Sequence, residues 1–114
     1  MSDCTIYHNP RCSKSRETLA LVEARGLKPT VVEYLKTPPD AAELARILAL
    51  LGKRPHDILR RKEAAEAGID ADKLDDAALI RAMVDNPAVI ERPIVVKGGK
   101  AALGRPPESV LDIL

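Results

Sequence analysis

The chain is poor in aromatic side chains. It has no tryptophan and no phenylalanine, and Tyr7 and Tyr34 are its only aromatics. Any core it forms is therefore packed from aliphatic residues. Cysteine is equally scarce, with Cys4 and Cys12 alone. Two cysteines are too few for a disulfide-stapled secreted scaffold. They form neither a Cys-x-x-Cys pair nor the Cys/His spacing of a zinc site, so no metal is expected. No apolar run approaches the length of a membrane span, and the N-terminus lacks the charged and apolar regions of a signal peptide. No membrane partner is expected, and a reducing cytoplasm is the default compartment, in which Cys12 stays a free thiol. The formal net charge is only +1. That argues against a bulk nucleic-acid binder whose affinity rests on phosphate neutralisation, but it leaves room for a local basic pocket.

What is present is enough for one core. The 114 residues are 46% hydrophobic, the size and balance of a single domain that needs no disulfide staples. There are no repeats, no low-complexity segment and no interdomain linker. Residues 4–8 read as a short buried strand closed by the Asn9-Pro10 turn. A helix is expected over about 13–25, with Leu19 and Val22 on its buried face and Gly26 as its stop. The β-branched run within 29–35 predicts a second strand. Strand, helix, strand is a βαβ unit, so the two strands should be parallel.

A helical middle follows, over about 40–86. Asp40 opens a helix in which Leu44, Ile47, Leu48 and Leu51 recur at i, i+3, i+4 and i+7. Residues 55–61 predict a short helix carrying Ile58 and Leu59 inward, which 63–67 extends. Asp75 or Asp76 starts another, with Leu79, Ile80, Met83 and Val84 buried. The chain then returns to strand, with 93–97 and 100–103 flanking Gly98-Gly99 as a tight hairpin. Pro106-Pro107-Glu108 opens a short final helix with Val110, Leu111 and Ile113 apolar. The order βαβ, helices, ββα predicts an α/β fold on the thioredoxin-like plan: a four-stranded mixed sheet with an inserted helical segment, all in one domain.

The chemistry concentrates at Cys12, where a strand hands over to a helix. Its flanks, Arg11, Ser13, Lys14, Ser15 and Arg16, are all polar, so it does not read as core. A helix N-terminus favours negative charge, and neighbouring cations add to that, so a thiolate nucleophile is expected there. The same geometry attracts oxyanions. Cys4, at the start of the first strand without a cationic neighbour, reads as structural, and four extended steps put it about 13 Å from His8 along the strand, too far to pair with Cys12. Ser15 stands where a Cys-x-x-Cys motif has its second thiol, so a resolving thiol must come from outside. Three arginines have unusual settings: Arg60 ends the Ile58-Leu59 turn beside Arg61, Arg92 precedes Pro93, and Arg105 precedes Pro106-Pro107. Guanidinium forks suit tetrahedral oxyanions. His8 either helps hold the thiolate or caps its strand. His56 reads as a surface residue at a helix start.

Tyr7-His8-Asn9-Pro10-x-Cys12-x-x-Ser15-Arg16 resembles the active-site loop of the ArsC family, the glutaredoxin-linked arsenate reductases. The likeness continues through Tyr34-Leu35, Pro38-Pro39, Leu59-Arg60, Asn86-Pro87, Glu91-Arg92-Pro93-Ile94-Val95-Val96 and Gly104-Arg105-Pro106, nearly the whole chain in order. The resemblance implies a thioredoxin-like fold with an inserted helical segment, and a cytoplasmic enzyme that reduces arsenate to arsenite. It implies that Cys12 forms a thiol–arsenate adduct, that glutathione joins it as co-substrate and that glutaredoxin removes the glutathione, with no bound cofactor. By the same likeness Arg60, Arg92 and Arg105 bind the anion, His8 favours the thiolate, Ser15 helps order the loop, and Pro93 follows a cis peptide bond. Two other readings share the scaffold: a glutathione-linked oxidoreductase with another substrate, and an Spx-type redox regulator that binds RNA polymerase. The second normally carries a Cys-x-x-Cys switch, which Ser15 removes.

Overall fold

Four short strands, β1 (Cys4–His8), β2 (Thr30–Glu33), β3 (Ile94–Lys97) and β4 (Lys100–Leu103), form one sheet in the order β2-β1-β3-β4. They are seen in a computed structural model that describes residues 3–114. The helix α1 (Ser13–Ala24) carries the chain from β1 to β2, and the two strands run parallel, Thr5 beside Thr30 and His8 beside Glu33. The chain re-enters the sheet with β3 antiparallel to β1, and the Gly98-Gly99 turn then reverses it so that β4 is antiparallel to β3. This is the mixed α/β sheet of the thioredoxin-like plan.

Alternation along the strands sorts the core. Cys4 and Ile6 turn to one face with Val95, and there meet Val22 of α1 and Val110, all fully buried. Val110 lies on the last element, Pro107–Ile113, which is a tighter 3-10 helix throughout. Leu19, Leu27, Ala102, Ile113 and Leu114 close over this cluster. Tyr7, Ile94 and Val96 turn the other way and are also buried. Burial on both faces holds for the central strands β1 and β3, whereas β2 and β4 at the sheet edges are exposed or half-buried.

The chain divides into two compact units: residues up to Thr37 with Arg92–Leu114, and Pro38–Glu91. The second contains α2 (Ala41–Leu51), α3 (Arg61–Glu66) and α4 (Asp76–Asp85), with 3-10 turns at Pro55–Ile58, Ala71–Lys73 and Pro87–Val89. Asp40 and Asp75 cap α2 and α4 by accepting the N–H groups of Glu43 and Ala78, each at 2.8 Å. Gly52, in the left-handed region at φ 67°, ends α2, a conformation costly for any residue with a Cβ. The buried residues of the unit include Leu44, Ile47, Leu48, Ile58, Leu79 and Met83. No helix among the described residues is long and apolar enough to cross a membrane.

Several boundaries differ from expectation, each for a local reason. Strand β2 stops at Glu33 rather than continuing to 35, because the Glu33 carbonyl accepts both the Lys36 and Thr37 N–H groups and turns the chain. The helix expected over 55–67 is two elements. Leu59 pairs with Ile90 as an antiparallel bridge, with Arg60 N–H donating to Val89 O at 2.7 Å, which breaks the helix before α3 begins. Ile80 and Val84 are half-buried rather than buried. On α1 the buried stripe is Ser15, Thr18 and Val22, with Leu19 only partly covered.

Thr18 and Gly104 show how closely α1 approaches the sheet end. A Cβ built on Gly104 would lie 2.5 Å from Thr18 Oγ1 and 2.7 Å from Pro93 Cγ. Neither neighbour can yield easily: Thr18 Oγ1 donates to the Lys14 carbonyl at 2.7 Å, and Pro93 is a ring. Gly104→Ala is therefore expected to lower stability by about 1–3 kcal/mol through overpacking, read as a fall in the urea midpoint at unchanged m-value.

Candidate active site

The sheet gathers segments that lie far apart in the chain. Tyr7 pairs with Ile94, and Ile94 with Leu103. The end of β1, the start of β3 and the end of β4 therefore share one edge. Just beyond that edge lie Cys12, the Arg92-Pro93 dipeptide and the Arg105-Pro106 dipeptide. Both of these X-Pro peptides are cis; the second was not expected from the sequence.

Cys12 is the N-cap of α1, extended at φ −93° and ψ 123°, and half-buried. Where α2 and α4 place an aspartate, α1 places this sulfur, and its first turn holds no acidic residue. The unpaired N–H groups of that turn are left to favour an anion. The Cys12 thiol accordingly titrates below its ordinary value. Burial opposes the charge, but the Ser15 N–H, the Arg92 guanidinium, the Lys14 N–H and the charge on Arg105 together outweigh it. Arg105 Nη2 lies 3.5 Å from Cys12 Sγ while its Nε donates to the Arg92 carbonyl at 2.7 Å. One guanidinium thus faces the sulfur and braces the segment that carries the other. Cys4 has the opposite fate. It is fully buried, and burial, helped by Asp3 and countered by Lys97, pushes its thiol up. That marks it as inert packing.

Behind the nucleophile is a buried support. Ser15 Oγ accepts the Asn9 N–H at 3.0 Å and lies 2.6 Å from His8 Nδ1. Burial pushes His8 below the ordinary histidine range, Arg16 adding to this and Glu33 opposing it. Ser15 Oγ thus accepts from Asn9 and shares a hydrogen bond with His8 Nδ1, whose direction is set by the imidazole tautomer. His8 therefore reaches Cys12 through Ser15 and the turn rather than as a neighbouring cation. Asn9 completes the turn: its side-chain oxygen accepts the Arg11 N–H and its carbonyl accepts the Cys12 N–H, both at 3.0 Å. Arg16 reaches back to the Pro10 carbonyl at 2.9 Å.

Cys12, Arg92, Arg105, His8, Ser15 and Pro93 all belong to the sheet unit. Arg60 belongs to the helical unit, where Nε donates to Glu63 at 2.7 Å and Nη1 to Glu91 at 2.8 Å. Its neighbour Arg61 faces Asp72 at 3.7 Å. Three supporting residues carry little signal in the sequence. Asn9 reads as a turn former, and its place two residues before Arg11 suits an Asx turn. Thr18 and Gly104 carried no local signal, because their role is a contact between distant segments.

Two outcomes follow from this geometry. Cys12 should alkylate with a midpoint below the ~8.5 of a free cysteine, and Arg105→Ala should move that midpoint upward, since losing a cation disfavours the thiolate. A pH profile of iodoacetamide labelling at Cys12 checks both, and an unperturbed profile would refute the activation. Ser15→Ala leaves Asn9 N–H and His8 Nδ1 buried without this partner and should cost about 1–3 kcal/mol of stability, measured by chemical denaturation.

The family model described as the ArsC family matches residues 7–113. The uncharacterised protein YfgD of Escherichia coli K12 is 54% identical, covering 96% of this chain and 94% of its own. An arsenate reductase of Neisseria meningitidis serogroup A is 49% identical over 100% of both chains. Among solved structures, an arsenate reductase from Vibrio cholerae superposes with a TM-score of 0.87 at 48% identity, covering 97% of each chain. With a family model spanning almost the whole chain and near-half identity from end to end, this protein belongs to the ArsC family.

Proposed function

We propose that the protein is an arsenate reductase in which Cys12 is the nucleophile and glutathione and glutaredoxin supply the reducing thiols. The observation that carries the reading is the Cys12 sulfur at the start of α1, with Arg105 at 3.5 Å and the Arg92 guanidinium also favouring its thiolate. A tetrahedral oxyanion brought to that sulfur meets donors already aimed at negative charge. The names of close relatives point to arsenate as the anion.

The Cys12 thiolate attacks arsenic(V) and a hydroxyl takes up a proton from solvent and leaves as water, giving a Cys12–S–As(V) ester. The glutathione thiol then displaces a second hydroxyl as water, so that arsenic bears both sulfurs. A glutaredoxin thiolate attacks the glutathione sulfur; the new S–S bond forms, the S–As bond breaks, and its electron pair stays on arsenic, which becomes arsenic(III). Water releases arsenite and returns Cys12 as the thiolate. An external thiol is required in this scheme because Ser15 fills the position of a resolving cysteine and Cys4 is fully buried.

Arsenate-dependent NADPH oxidation, coupled through glutathione reductase, glutathione and glutaredoxin, is the test. Activity should vanish in Cys12→Ser, and a wild-type rate no higher than that variant's would refute the assignment. Arg92→Ala should lower kcat/KM for arsenate by about 10²-fold, the scale of losing one preorganised donor to a developing anion. Its circular dichroism should stay unchanged, which separates a site role from a folding one.

A further inference from the structure

A groove of about 240 Å³ opens beside the Cys12 turn, lined chiefly by His8, Asn9, Arg11, Glu33, Leu35 and Lys36. It lies at the carboxyl ends of β1 and β2, the parallel pair in which His8 stands beside Glu33. Ligands of open α/β sheets settle outside the carboxyl ends of parallel strands. The groove and the nucleophile share one piece of backbone, since Asn9 forms its wall and also accepts the Cys12 N–H. The groove thus borders the turn that carries the nucleophile, with Arg11 of its lining adjacent to Cys12 in the chain.

The lining is a mixed-charge set rather than an anion cradle. Arg11 and Lys36 are exposed cations, and Glu33 sits 3.6 Å from the Lys36 amine. Leu35, one of the exposed large hydrophobic residues at 43%, offers an apolar contact beside them. Two cations and one carboxylate lining one groove complement an α-amino acid end group, which carries a carboxylate and an ammonium on one carbon. The volume is below the usual range of pockets that enclose a whole drug-sized ligand, about 300–1,000 Å³. It suits one arm of an extended peptide, leaving the rest outside.

We propose that this groove seats the γ-glutamyl end of the glutathione co-substrate, with its α-carboxylate on Arg11 and Lys36 and its ammonium on Glu33, so that the tripeptide's thiol lies toward Cys12. The assignment rests on the reading that glutathione resolves Cys12, and it adds where that molecule is recognised and by which groups.

The test avoids arsenate altogether. In disulfide exchange the Cys12 thiolate attacks one sulfur of an added disulfide, the S–S bond breaks and the other sulfur leaves as a thiolate. The rate of Cys12 modification is followed by mass spectrometry with three probes: glutathione disulfide, the disulfide of cysteinylglycine, which lacks the γ-glutamyl arm, and neutral hydroxyethyl disulfide. Lys36→Glu and Arg11→Glu are each expected to slow the glutathione disulfide reaction about tenfold, the loss of a charge-assisted contact. The same variants should change the cysteinylglycine reaction far less, and hydroxyethyl disulfide reports any change in Cys12 itself. Glu33→Gln should weaken the preference for glutathione disulfide over cysteinylglycine disulfide. Equal slowing of all three probes, or of none, overturns the proposal. So does slowing confined to glutaredoxin turnover, which would make the groove a protein-docking surface. Failure of arsenate reduction appears separately in the coupled assay and leaves these rates interpretable.

Discussion

A negative charge held at the start of α1 is the constraint on which the site depends. The helix offers unpaired N–H groups at that end, and instead of the aspartate cap used by α2 and α4 it presents the sulfur of Cys12. The absence of an acidic residue in the first turn forgoes the usual stabilisation of a helix start. A soluble helix gains little from that exchange unless the sulfur carries the charge. Arg92 and Arg105 supply the remainder across the sheet edge, and their effect with the helix N–H groups outweighs the burial that would otherwise keep the thiol neutral.

The support behind the nucleophile is built from neutral groups. His8, Ser15 and Asn9 are all buried and joined by hydrogen bonds of 2.6 and 3.0 Å. A charged histidine in that position would compete with Arg92 and Arg105 for the anion and would be costly to bury. A neutral one fixes the serine rotamer, and the serine fixes the turn. Positioning is thereby separated from electrostatics: the turn holds the sulfur in place, and the helix end and the arginines hold its charge. The tight contact of Gly104 with Thr18 and Pro93 belongs to the same scheme, because it sets how near the β4 end approaches α1.

The division into strands and helices was largely legible in the sequence because it follows local rules. Apolar periodicity, β-branched runs and the Gly and Pro stops located all four strands and the long helices. Expectation and structure part where a distant contact decided the outcome. Leu59 left its helix because Ile90 offered a backbone bridge. The buried side of α1 includes Ser15 and Thr18, which a hydrophobicity pattern places on the solvent face, because their hydroxyls find partners in His8, Asn9 and the Lys14 carbonyl.

The sequence by itself determined that Cys12 stands at a helix start among cations and that no second thiol is spaced to resolve it. Residue order settles both, since a helix end and a Cys-x-x-Cys spacing are properties of neighbours in the chain. Only the tertiary structure decided which arginines share the sheet edge with that sulfur. Arg92 and Arg105 arrive there because β3 pairs with β1 and β4 with β3, so residues eighty or more positions later end beside that sulfur. Strand register, not sequence proximity, sets that distance, and register is fixed by the packing of Ile6, Val95 and Val22 in the core.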